Sequence, residues 1–489
     1  MTAPRILALD QGTSSTKALL FEPDGTVVAR ASRPLPSSYP RDGWAEQDAA
    51  AIWDSVRSAL ADIVAGAGAE GIAGLAIANQ RETLVVWDAG THRPIAPAIL
   101  WQCRRTSDAC ATLIDEGHDA RVTALTGLGI NPLFPASKLG WVLRNVPEAG
   151  TLLAQGRLRA GTVDSWLLWN LTAGASFATD HSNASRTQLF DTERLGWSEE
   201  LGALFGAPVS VLPEALPSDS RFGEVEGGRT ALAGGTPILA IMGDSHAALH
   251  GHGVRGPGTV KATYGTGSSL MALTPGRIAS AHGLSGTIGW STRAGGVAYA
   301  IEGNITVSAQ AAAFAATMLG LRDAAALSDL ARTVESSEGV TFVPALAGLG
   351  APHWNDAARG TIAGLTLGSR PAHVARATLE AIVLQVADVF AAMEQDVGQR
   401  LDSLRADGGA SGNDLLMQLQ ADVLDRPVIR GEVAEIGALG VATMAFEALE
   451  IGETRGEGQA TTFAPAMDPA RREALLRGWL RAVAQVLGP

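Results

Sequence analysis

The sequence predicts an α/β protein built from two large domains. Its 489 residues exceed the length at which a single hydrophobic core usually stops growing, about 250–300 residues. Short apolar segments that end in Gly, Asp or Asn are repeatedly followed by amphipathic patterns, and this alternation is typical of α/β domains. A Gly-rich passage over residues 250–258 falls near the midpoint. We therefore place the boundary between a domain of residues 1–250 and a domain of residues 251–489.

The composition limits the classes of partner and compartment. The net charge is −13, without long runs of one sign, so neither nucleic acid nor an anionic membrane is expected as the main partner. The two cysteines, Cys103 and Cys110, are too few for a disulfide scaffold. The first residues lack the basic, apolar and cleavage regions of an export signal. We expect a cytoplasmic protein that does not enter the membrane.

One helix is predicted with particular clarity over residues 48–65. Apolar side chains recur there at helical spacing, at Ile52, Val56, Leu60 and Ile63. Asp48 can cap the start and Gly66 can end the helix. The apolar segment that follows, residues 71–79, predicts a strand.

Two Gly- and hydroxyl-rich segments follow apolar strands, residues 9–15 and residues 263–269. Their likeness suggests two related domains. The first supplies what a polyphosphate needs, namely close-approaching backbone N–H groups, hydroxyl donors and a cation; the residues are Gly12, Thr13, Ser14, Ser15 and Lys17. An ordinary β-hairpin turn explains either segment alone equally well. Neither segment is a P-loop or a dinucleotide-binding turn.

A third segment, residues 404–413, ends an apparent strand in glycines. Gly408 and Gly409 would let a flat base or ribose lie close to the backbone, and Asn413 opens a helix over residues 415–424. Helix capping by Asn413 is the simpler explanation. The two roles are compatible.

Asp244 follows the apolar strand 237–243, at the end of a strand where α/β sheets present ligand-binding groups. Phosphoryl transfer needs a carboxylate to accept the proton of the attacking hydroxyl group, and Asp244 suits this task. An ordinary helix N-cap is an equally good interpretation of an Asp in this position.

Arg81 and Glu82 also follow an apolar strand, and together they could bind neighbouring hydroxyl groups of a ligand. Adjacent Arg and Glu are more often solvated surface charges. Trp101 could form an apolar wall for a polyol, although a lone Trp is more often a core residue. His246, His250 and His252 lack supporting ligands, so no zinc site is expected.

Several motifs, in order along essentially the whole chain, resemble the FGGY carbohydrate kinase family, which includes glycerol kinase. The motifs are Ala8-Leu-Asp-Gln-Gly-Thr, Asn79-Gln-Arg-Glu-Thr, Ile99-Leu-Trp-Gln-Cys-Arg-Arg-Thr, Asn183-Ala-Ser-Arg-Thr, Gly348-Leu-Gly-Ala-Pro-His-Trp and the run from Gly360 to Glu380. The resemblance implies two actin-like, ribonuclease-H-like ATPase domains flanking a catalytic cleft, and a homodimer or homotetramer.

The resemblance also implies a role for each matching residue. Asp10 would help to position Mg²⁺, and ATP would be bound by Thr13, Ser14, Ser15, Lys17, Thr266, Gly409 and Asn413. The polyol would be held by Arg81, Glu82, Trp101 and Asp244, with Asp244 as the catalytic base. The expected reaction is ATP-dependent phosphorylation of a terminal hydroxyl group of a small polyol, with glycerol as the leading acceptor.

Three positions that would line the acceptor pocket depart from the glycerol-kinase pattern. Leu133 replaces a Tyr, Ser245 replaces a Gln and Ser269 replaces a Phe. The loss of two rings and the shorter polar side chain should enlarge the pocket, and Leu133 removes a hydroxyl group. A four- or five-carbon polyol or ketose, such as erythritol, threitol, xylitol, erythrulose or xylulose, could therefore replace glycerol as the acceptor.

A ketose kinase and a non-catalytic protein are two competing interpretations of the same motifs. Ketose kinases of the family usually carry a Gly-Gln-Met-His loop where this chain has Asn79-Gln-Arg-Glu82, which favours a polyol over a ketose. A non-catalytic, actin-like ATP-binding regulator would not need the carboxylates of Asp10 and Asp244, and both are retained.

Overall fold

The computed structural model describes residues 3–431, 433, 435–451 and 460–488. By their contacts, the residues form two compact units. Unit 1 comprises Met1–Val254, Gly286–Ala300 and Glu435–Gly456, and unit 2 comprises Arg255–Ser285, Ile301–Ala434 and Glu457–Pro489. The domain boundary at residue 250 stays a prediction. Two segments from the second half of the chain group with unit 1.

The strands of the described chain are, in order, β1 (Arg5–Gln11), β2 (Ser15–Phe21), β3 (Val27–Pro34), β4 (Glu46–Gln47), β5 (Ile72–Asn79), β6 (Val85–Asp88), β7 (Arg93–Pro94), β8 (Ala98–Ile99), β9 (Leu158–Gly161), β10 (Ala178–Asp180), β11 (Phe190–Asp191), β12 (Gly196–Trp197), β13 (Glu214–Leu216), β14 (Gly223–Glu224), β15 (Pro237–Gly243), β16 (Thr259–Tyr264), β17 (Ser268–Leu273), β18 (Ser285–Ser291), β19 (Val297–Ile305), β20 (Thr341–Val343), β21 (Thr361–Ala363), β22 (Ser403–Asp407), β23 (Val428–Gly431) and β24 (Ala460–Phe463).

The α-helices are α1 (Ala49–Ala67), α2 (Ser107–Asp115), α3 (Asp119–Thr126), α4 (Pro135–Asn145), α5 (Pro147–Ala154), α6 (Val163–Leu171), α7 (His181–Ala184), α8 (Glu199–Phe205), α9 (Asp244–Gly251), α10 (Ala309–Met318), α11 (Ala324–Arg332), α12 (Pro371–Val397), α13 (Asp414–Leu424), α14 (Ile436–Ala448) and α15 (Pro469–Leu487). Two short 3-10 helices span Val209–Val211 and Gly409–Gly412. No helix among these described residues is long and apolar enough to cross a membrane.

Unit 1 is built on a six-stranded sheet in the order β14-β15-β5-β1-β2-β3. The strands β1, β5 and β15 run parallel to one another, whereas β1–β2 and β2–β3 are antiparallel hairpins. On β1, Leu7 and Leu9 join a core with α1 and α6. Successive side chains of a strand point to opposite faces, so Ile6 and Ala8 face the other side. Helix α14 packs against β1 and β5.

The amphipathic helix of unit 1 is confirmed, but its predicted end is wrong. Asp48 caps α1 by accepting a hydrogen bond of 2.8 Å from the backbone N–H of Ala50. Ile52, Val56, Leu60 and Ile63 are all buried. The helix continues past Gly66 and ends at Gly68, which has φ 74°. A glycine inside a helix costs only about 1 kcal/mol relative to alanine, whereas this positive φ favours glycine as the terminating residue.

Unit 2 carries strands of a second sheet, which are neighbours in the order β17-β16-β22-β23-β24. Its central strands repeat the arrangement of unit 1. An antiparallel hairpin, β16–β17, is joined through its first strand to a parallel neighbour, β22. In unit 1 the corresponding elements are β1, β2 and β5. The predicted α/β class is confirmed, and the shared strand pattern agrees with the likeness of the two sequence segments.

Candidate functional site

Three parallel strands of unit 1 end together at one edge of its sheet. The register aligns Gln11 of β1 with Asn79 of β5, and Asn79 with Gly243 of β15. The segments that follow these strands therefore meet at this edge, because carboxyl ends of neighbouring parallel strands lie side by side. They are the turn after β1, residues 80–83 and the start of α9 at Asp244.

Asp10 lies near the end of β1, where its Cα is paired with that of Lys17 on β2. Burial, with a smaller contribution from the negative charge of Asp244, raises the pKa of Asp10 to about 6. Lys17 acts in the opposite direction, and Glu435 adds to the rise. The edge of the sheet thus gathers carboxylates that repel one another.

The hydroxyl-rich segment after β1 is a hairpin turn. The backbone N–H of Gly12 donates to the carbonyl of Ser15 at 3.0 Å, and the carbonyl of Ser14 accepts from Leu35 at 2.9 Å. Lys17 lies in β2 rather than in the turn. The hairpin interpretation is therefore correct as geometry, while the role of Thr13, Ser14, Ser15 and Lys17 in phosphate binding stays a prediction.

Arg81 and Asp244 form an ion pair at this edge. Nε of Arg81 lies 3.2 Å from Oδ1 of Asp244, and the side chain of Arg81 is only 9% exposed. A Cβ atom at Gly243 would lie 2.8 Å from the Cγ and Cδ atoms of Arg81, so glycine is required for this approach. The interpretation of Arg81 and Glu82 as solvated surface charges is wrong, because both are buried.

Asp244 is the first residue of α9 and not its cap. The N-cap position belongs to Gly243, so the interpretation of Asp244 as an ordinary N-cap is wrong. Its Oδ1 atom accepts a 2.6 Å hydrogen bond from the backbone N–H of the adjacent Ser245. The Asp244 side chain remains 41% exposed. The carboxylate is thus oriented by Arg81 and Ser245 and is accessible to a ligand.

Glu82 is held in an uncommon backbone conformation, with φ 60°. Its Oε1 atom accepts a 2.7 Å hydrogen bond from Nε of Arg186, and both side chains are nearly inaccessible to solvent. The guanidinium of Arg186 also lies 5.2 Å from the ring centroid of Phe134. Sequence reasoning gave no role to Arg186, although it lies in the family motif that begins at Asn183.

Trp101 contacts the turn after β1 and is not a core residue. Its Nε1 atom donates to Oγ1 of Thr13 at 3.1 Å, and the side chain is 37% exposed. Thr13 in turn donates to Oε1 of Gln80 at 3.2 Å. The predicted acceptor wall and the predicted phosphate turn are therefore joined by hydrogen bonds.

Lys138 lies beneath these segments at the start of α4, where sequence reasoning gave it no role. Its side chain is fully buried, and Nζ donates to the backbone carbonyls of Leu133 at 2.7 Å and of Glu82 at 3.2 Å. Burial lowers the pKa of Lys138 to about 7, against the opposing effect of Glu82. Leu133 is half-buried, and its N–H donates to Oδ1 of Asn131 at 2.9 Å.

In unit 2 the parallel strands β16 and β22 bring the other two predicted segments to one edge. Thr263 is aligned with Asp407, so the turn containing Thr266 lies beside the turn containing Gly409. Thr266 is exposed at its turn. A Cβ atom at Gly408 would lie 2.5 Å from the carbonyl oxygen of Tyr264, whereas one at Gly409 would meet nothing within 4 Å. The backbone at Gly409 is thus open to a flat ligand.

The capping role of Asn413 is confirmed. Its Oδ1 atom accepts from the backbone N–H groups of Leu415 and Leu416, at 3.1 and 3.4 Å, and its Nδ2 atom donates to Oγ of Ser328 at 2.8 Å. Ser269, on β17, donates from Oγ to Oε1 of Glu302 at 3.1 Å. The roles of Asn413 and Ser269 in ligand binding stay predictions.

The donor chemistry at the edge of unit 1 fits a magnesium ion. Among the described residues, no group of three or more His, Cys, Asp and Glu side chains is arranged to hold a metal. Magnesium is commonly bound through one or two carboxylates together with phosphates and water. The pKa of Asp10 is raised mainly by burial and, to a smaller extent, by the charge of Asp244, and a cation bound there would stabilise both carboxylates.

The fold and these groups define a phosphotransferase of the α/β class. Residues 5–251 match the N-terminal domain of the FGGY family of carbohydrate kinases, and residues 260–449 match its C-terminal domain. The chain belongs to this family.

Similar proteins include kinases with different acceptors. The glycerol kinase of Symbiobacterium thermophilum is 44% identical, over 99% of this chain and 98% of its own length. The apulose kinase of Pectobacterium atrosepticum is 46% identical, over 90% of this chain and 89% of its own length.

The solved structures show the fold. The crystal structure of Plasmodium falciparum glycerol kinase with ADP matches with a TM-score of 0.93 at 29% identity, over 100% of this chain and 99% of that chain. The xylulose kinase of Rhodospirillum rubrum matches with a TM-score of 0.86 at 27% identity, over 98% of each chain. The prediction of two actin-like, ribonuclease-H-like domains is confirmed.

Proposed function

We propose that this chain transfers the terminal phosphoryl group of ATP to a terminal hydroxyl group of a small polyol, with glycerol as the leading acceptor. The observation that carries the proposal is the Arg81–Asp244 pair at the shared end of three parallel strands, 3.2 Å between Nε and Oδ1. The negative charge of Asp244 acts on Asp10, and the turn that contains Thr13 follows β1, which pairs with β5 at this edge. The 44% identity to a glycerol kinase supports the same acceptor.

In the proposed reaction, the side chains mainly bind and orient. The guanidinium of Arg81 donates hydrogen bonds to hydroxyl groups of the polyol, and the carboxylate of Glu82 accepts hydrogen bonds from them. Trp101 covers the C–H face of the polyol. The carboxylate of Asp244 accepts the proton of the attacking hydroxyl group. A new bond forms between that oxygen and the γ-phosphorus, the bond from the γ-phosphorus to the β–γ bridging oxygen breaks, and ADP leaves.

The nucleotide is proposed to contact the hydroxyl-rich turn and Lys17 in unit 1, and Thr266, Gly409 and Asn413 in unit 2. Asp10 would hold Mg²⁺, which supplies neutralisation of the phosphate charge. The cytoplasmic location predicted from the sequence, and the homodimer or homotetramer implied by the family resemblance, are part of this proposal.

The proposal is tested by measuring ADP formation from Mg·ATP with glycerol, erythritol, threitol, xylitol, erythrulose, xylulose and apulose. We expect acceptor-dependent turnover, and a loss of about 10²–10⁴-fold in kcat for Asp244→Asn, because a general base contributes on that order. Asp42→Asn, at an exposed position, makes the same change of charge and should retain activity. The absence of turnover with every one of these acceptors would refute the proposal.

A four- or five-carbon acceptor is the second candidate. It is favoured by Leu133, Ser245 and Ser269, where smaller side chains replace a Tyr, a Gln and a Phe of the glycerol-kinase pattern. The apulose kinase that is 46% identical over 90% of this chain is a relative whose name gives an acceptor other than glycerol. The backbone of Leu133 is held at both its N–H and its carbonyl, so a ring placed there would project from a fixed position.

The double variant Leu133→Tyr with Ser269→Phe separates the two candidates. Filling a pocket reduces its affinity for the larger ligand, by about tenfold or more for each excess group. If the second candidate is correct, the ratio of kcat/KM for glycerol to that for a five-carbon acceptor should rise by about tenfold. An unchanged order of preference would remove these positions from the explanation of specificity.

A further inference from the structure

Lys138 joins three separate segments that carry the acceptor-facing residues. Nζ of Lys138 donates to the carbonyl oxygens of Leu133 and Glu82, at 2.7 and 3.2 Å, and lies 3.5 Å from that of Trp101. An ammonium group has three N–H donors and no acceptor. Resting on the proposed function, we infer that Lys138 is a positioning residue that sets the affinity for the acceptor.

The backbone of Glu82 shows why such a connection is needed. A non-glycine residue with φ 60° has a strained backbone, which persists only where its surroundings hold it. Lys138 binds the carbonyl of Glu82, and Arg186 binds its carboxylate. Without the Lys138 contact, one of these two restraints on Glu82 is lost, and the carboxylate can leave the position from which it would bind a hydroxyl group.

The rarity of lysine in this chain also draws attention to position 138. Only three of the 37 basic residues are lysines, and none of the three is exposed: Lys17 is half-buried, while Lys138 and Lys261 are fully buried. The other basic residues are arginines. A guanidinium is planar and larger, and its fixed fork of donors does not match three carbonyls around one point. The compact ammonium group of Lys138 fits this arrangement of three carbonyl oxygens.

The test compares Lys138→Gln and Lys138→Arg with Ser137→Ala. Ser137 is the adjacent residue of α4 and is buried, with Oγ 2.8 Å from Oγ1 of Thr106. Its replacement removes a buried hydrogen bond from the same helix without touching the three segments. For both Lys138 variants we expect KM for the best acceptor to rise about tenfold or more, a loss comparable to that of a charged hydrogen bond, while KM for ATP changes less than about twofold. Ser137→Ala should leave both constants near the original values.

Amide hydrogen exchange gives a second readout that does not need turnover. In Lys138→Gln, exchange should accelerate together at residues 82–84, 101–103 and 133–134, whereas in Ser137→Ala it should not. An acceptor KM within about twofold of the original, or equal rises in both KM values with a lower melting temperature, would overturn the inference. If the unmodified protein phosphorylates no acceptor, the proposed function fails. Coupled exchange would then still support the positioning role, and uncoupled exchange would overturn it.

Discussion

Asp164 is a buried carboxyl group outside the candidate site. It lies in the first turn of α6 and is fully inaccessible to solvent. Its Oδ2 atom accepts a 2.6 Å hydrogen bond from Oγ1 of Thr179. Burial raises the pKa of Asp164 to about 7, against the hydrogen bonds of Thr162 and Thr179. The charged form is therefore unfavourable in the folded chain.

This shift makes stability depend on pH. A carboxyl group whose folded pKa is raised contributes stability below its unfolded pKa, and that contribution is lost as the pH rises through the folded pKa. The relevant window here runs from the ordinary pKa of 3.8 to about 7. The free energy of unfolding of Asp164→Asn minus that of the original protein should therefore increase from pH 4 to pH 8, by up to about 4 kcal/mol. Urea unfolding at both pH values measures it.

A control variant and the direction of the pH effect both test the prediction for Asp164→Asn. Asp42→Asn removes a charge from an exposed position and should show a difference from the original protein that changes little with pH. A difference for Asp164→Asn that shrinks as the pH rises would contradict the burial of a costly charge. The prediction concerns only how this difference changes between pH 4 and pH 8. The new amide has hydrogen-bonding requirements of its own, which also affect the stability of the variant at pH 4.

At the scale of elements, α9 and α14 approach closely through glycines. A Cβ atom at Gly440 of α14 would lie 1.7 Å from the carbonyl oxygen of Ala247 of α9. A Cβ atom at Gly251 would lie 2.3 Å from the carbonyl oxygen of Ile436. Helix α9 begins with Asp244, so the packing of α14 also supports the position of the proposed base.

Gly440→Ala should therefore force the two helices apart. We expect a loss of about 1–3 kcal/mol in the free energy of unfolding, the usual range for overpacking, together with a fall in kcat/KM as Asp244 is displaced. Urea unfolding and initial rates measure the two effects.

A matched glycine separates packing from helix propensity. Gly150 lies within α5, and a Cβ atom there would meet nothing within 4 Å. Gly150→Ala should stabilise the chain by about 0.5–1 kcal/mol, because alanine is the better helix former. Equal effects of the two substitutions would refute the close-packing explanation.

For the whole molecule, local sequence patterns predicted the elements better than their tertiary grouping. The spacing of Ile52, Val56 and Leu60 predicted α1, and the Asn413 cap predicted α13. Nothing in the local pattern of Glu435–Gly456 predicts that this segment groups with unit 1. Such a contact depends on surfaces far apart in the sequence, which periodicity does not report.

In the candidate site too, contiguous motifs could be predicted from the sequence, whereas contacts between distant segments could not. Strand ends followed by Asp244, Arg81 and Glu82 could be found from the sequence, because each motif is contiguous. The roles of Lys138 and Arg186 depend on backbone carbonyls and carboxylates that only the fold brings near them. One signal was available in advance, namely the rarity of lysine, but it does not identify the partner atoms.

The proposed nucleotide residues make a prediction for the stability of the whole chain. A ligand that binds only the folded state stabilises it, by about 2.7 kcal/mol at a concentration of 100 times its Kd. Mg·ADP should raise the melting temperature accordingly. Ser14→Ala in unit 1 and Thr266→Val in unit 2 each remove a hydroxyl group from an exposed turn, and each should reduce the increase caused by Mg·ADP without lowering the melting temperature of the free protein.

Thermal scans with a series of Mg·ADP concentrations give an apparent Kd for each variant. If both hydroxyl groups bind phosphate oxygens, each Kd should rise by about tenfold, since a hydrogen bond to a charged group contributes roughly 1.5–3 kcal/mol. Ser58→Ala, at an exposed serine of α1, should leave the apparent Kd unchanged. An unchanged Kd for Thr266→Val alone would restrict the phosphate contacts of the proposal to unit 1, because the hydroxyl group of Thr266 would then make no contact with the nucleotide.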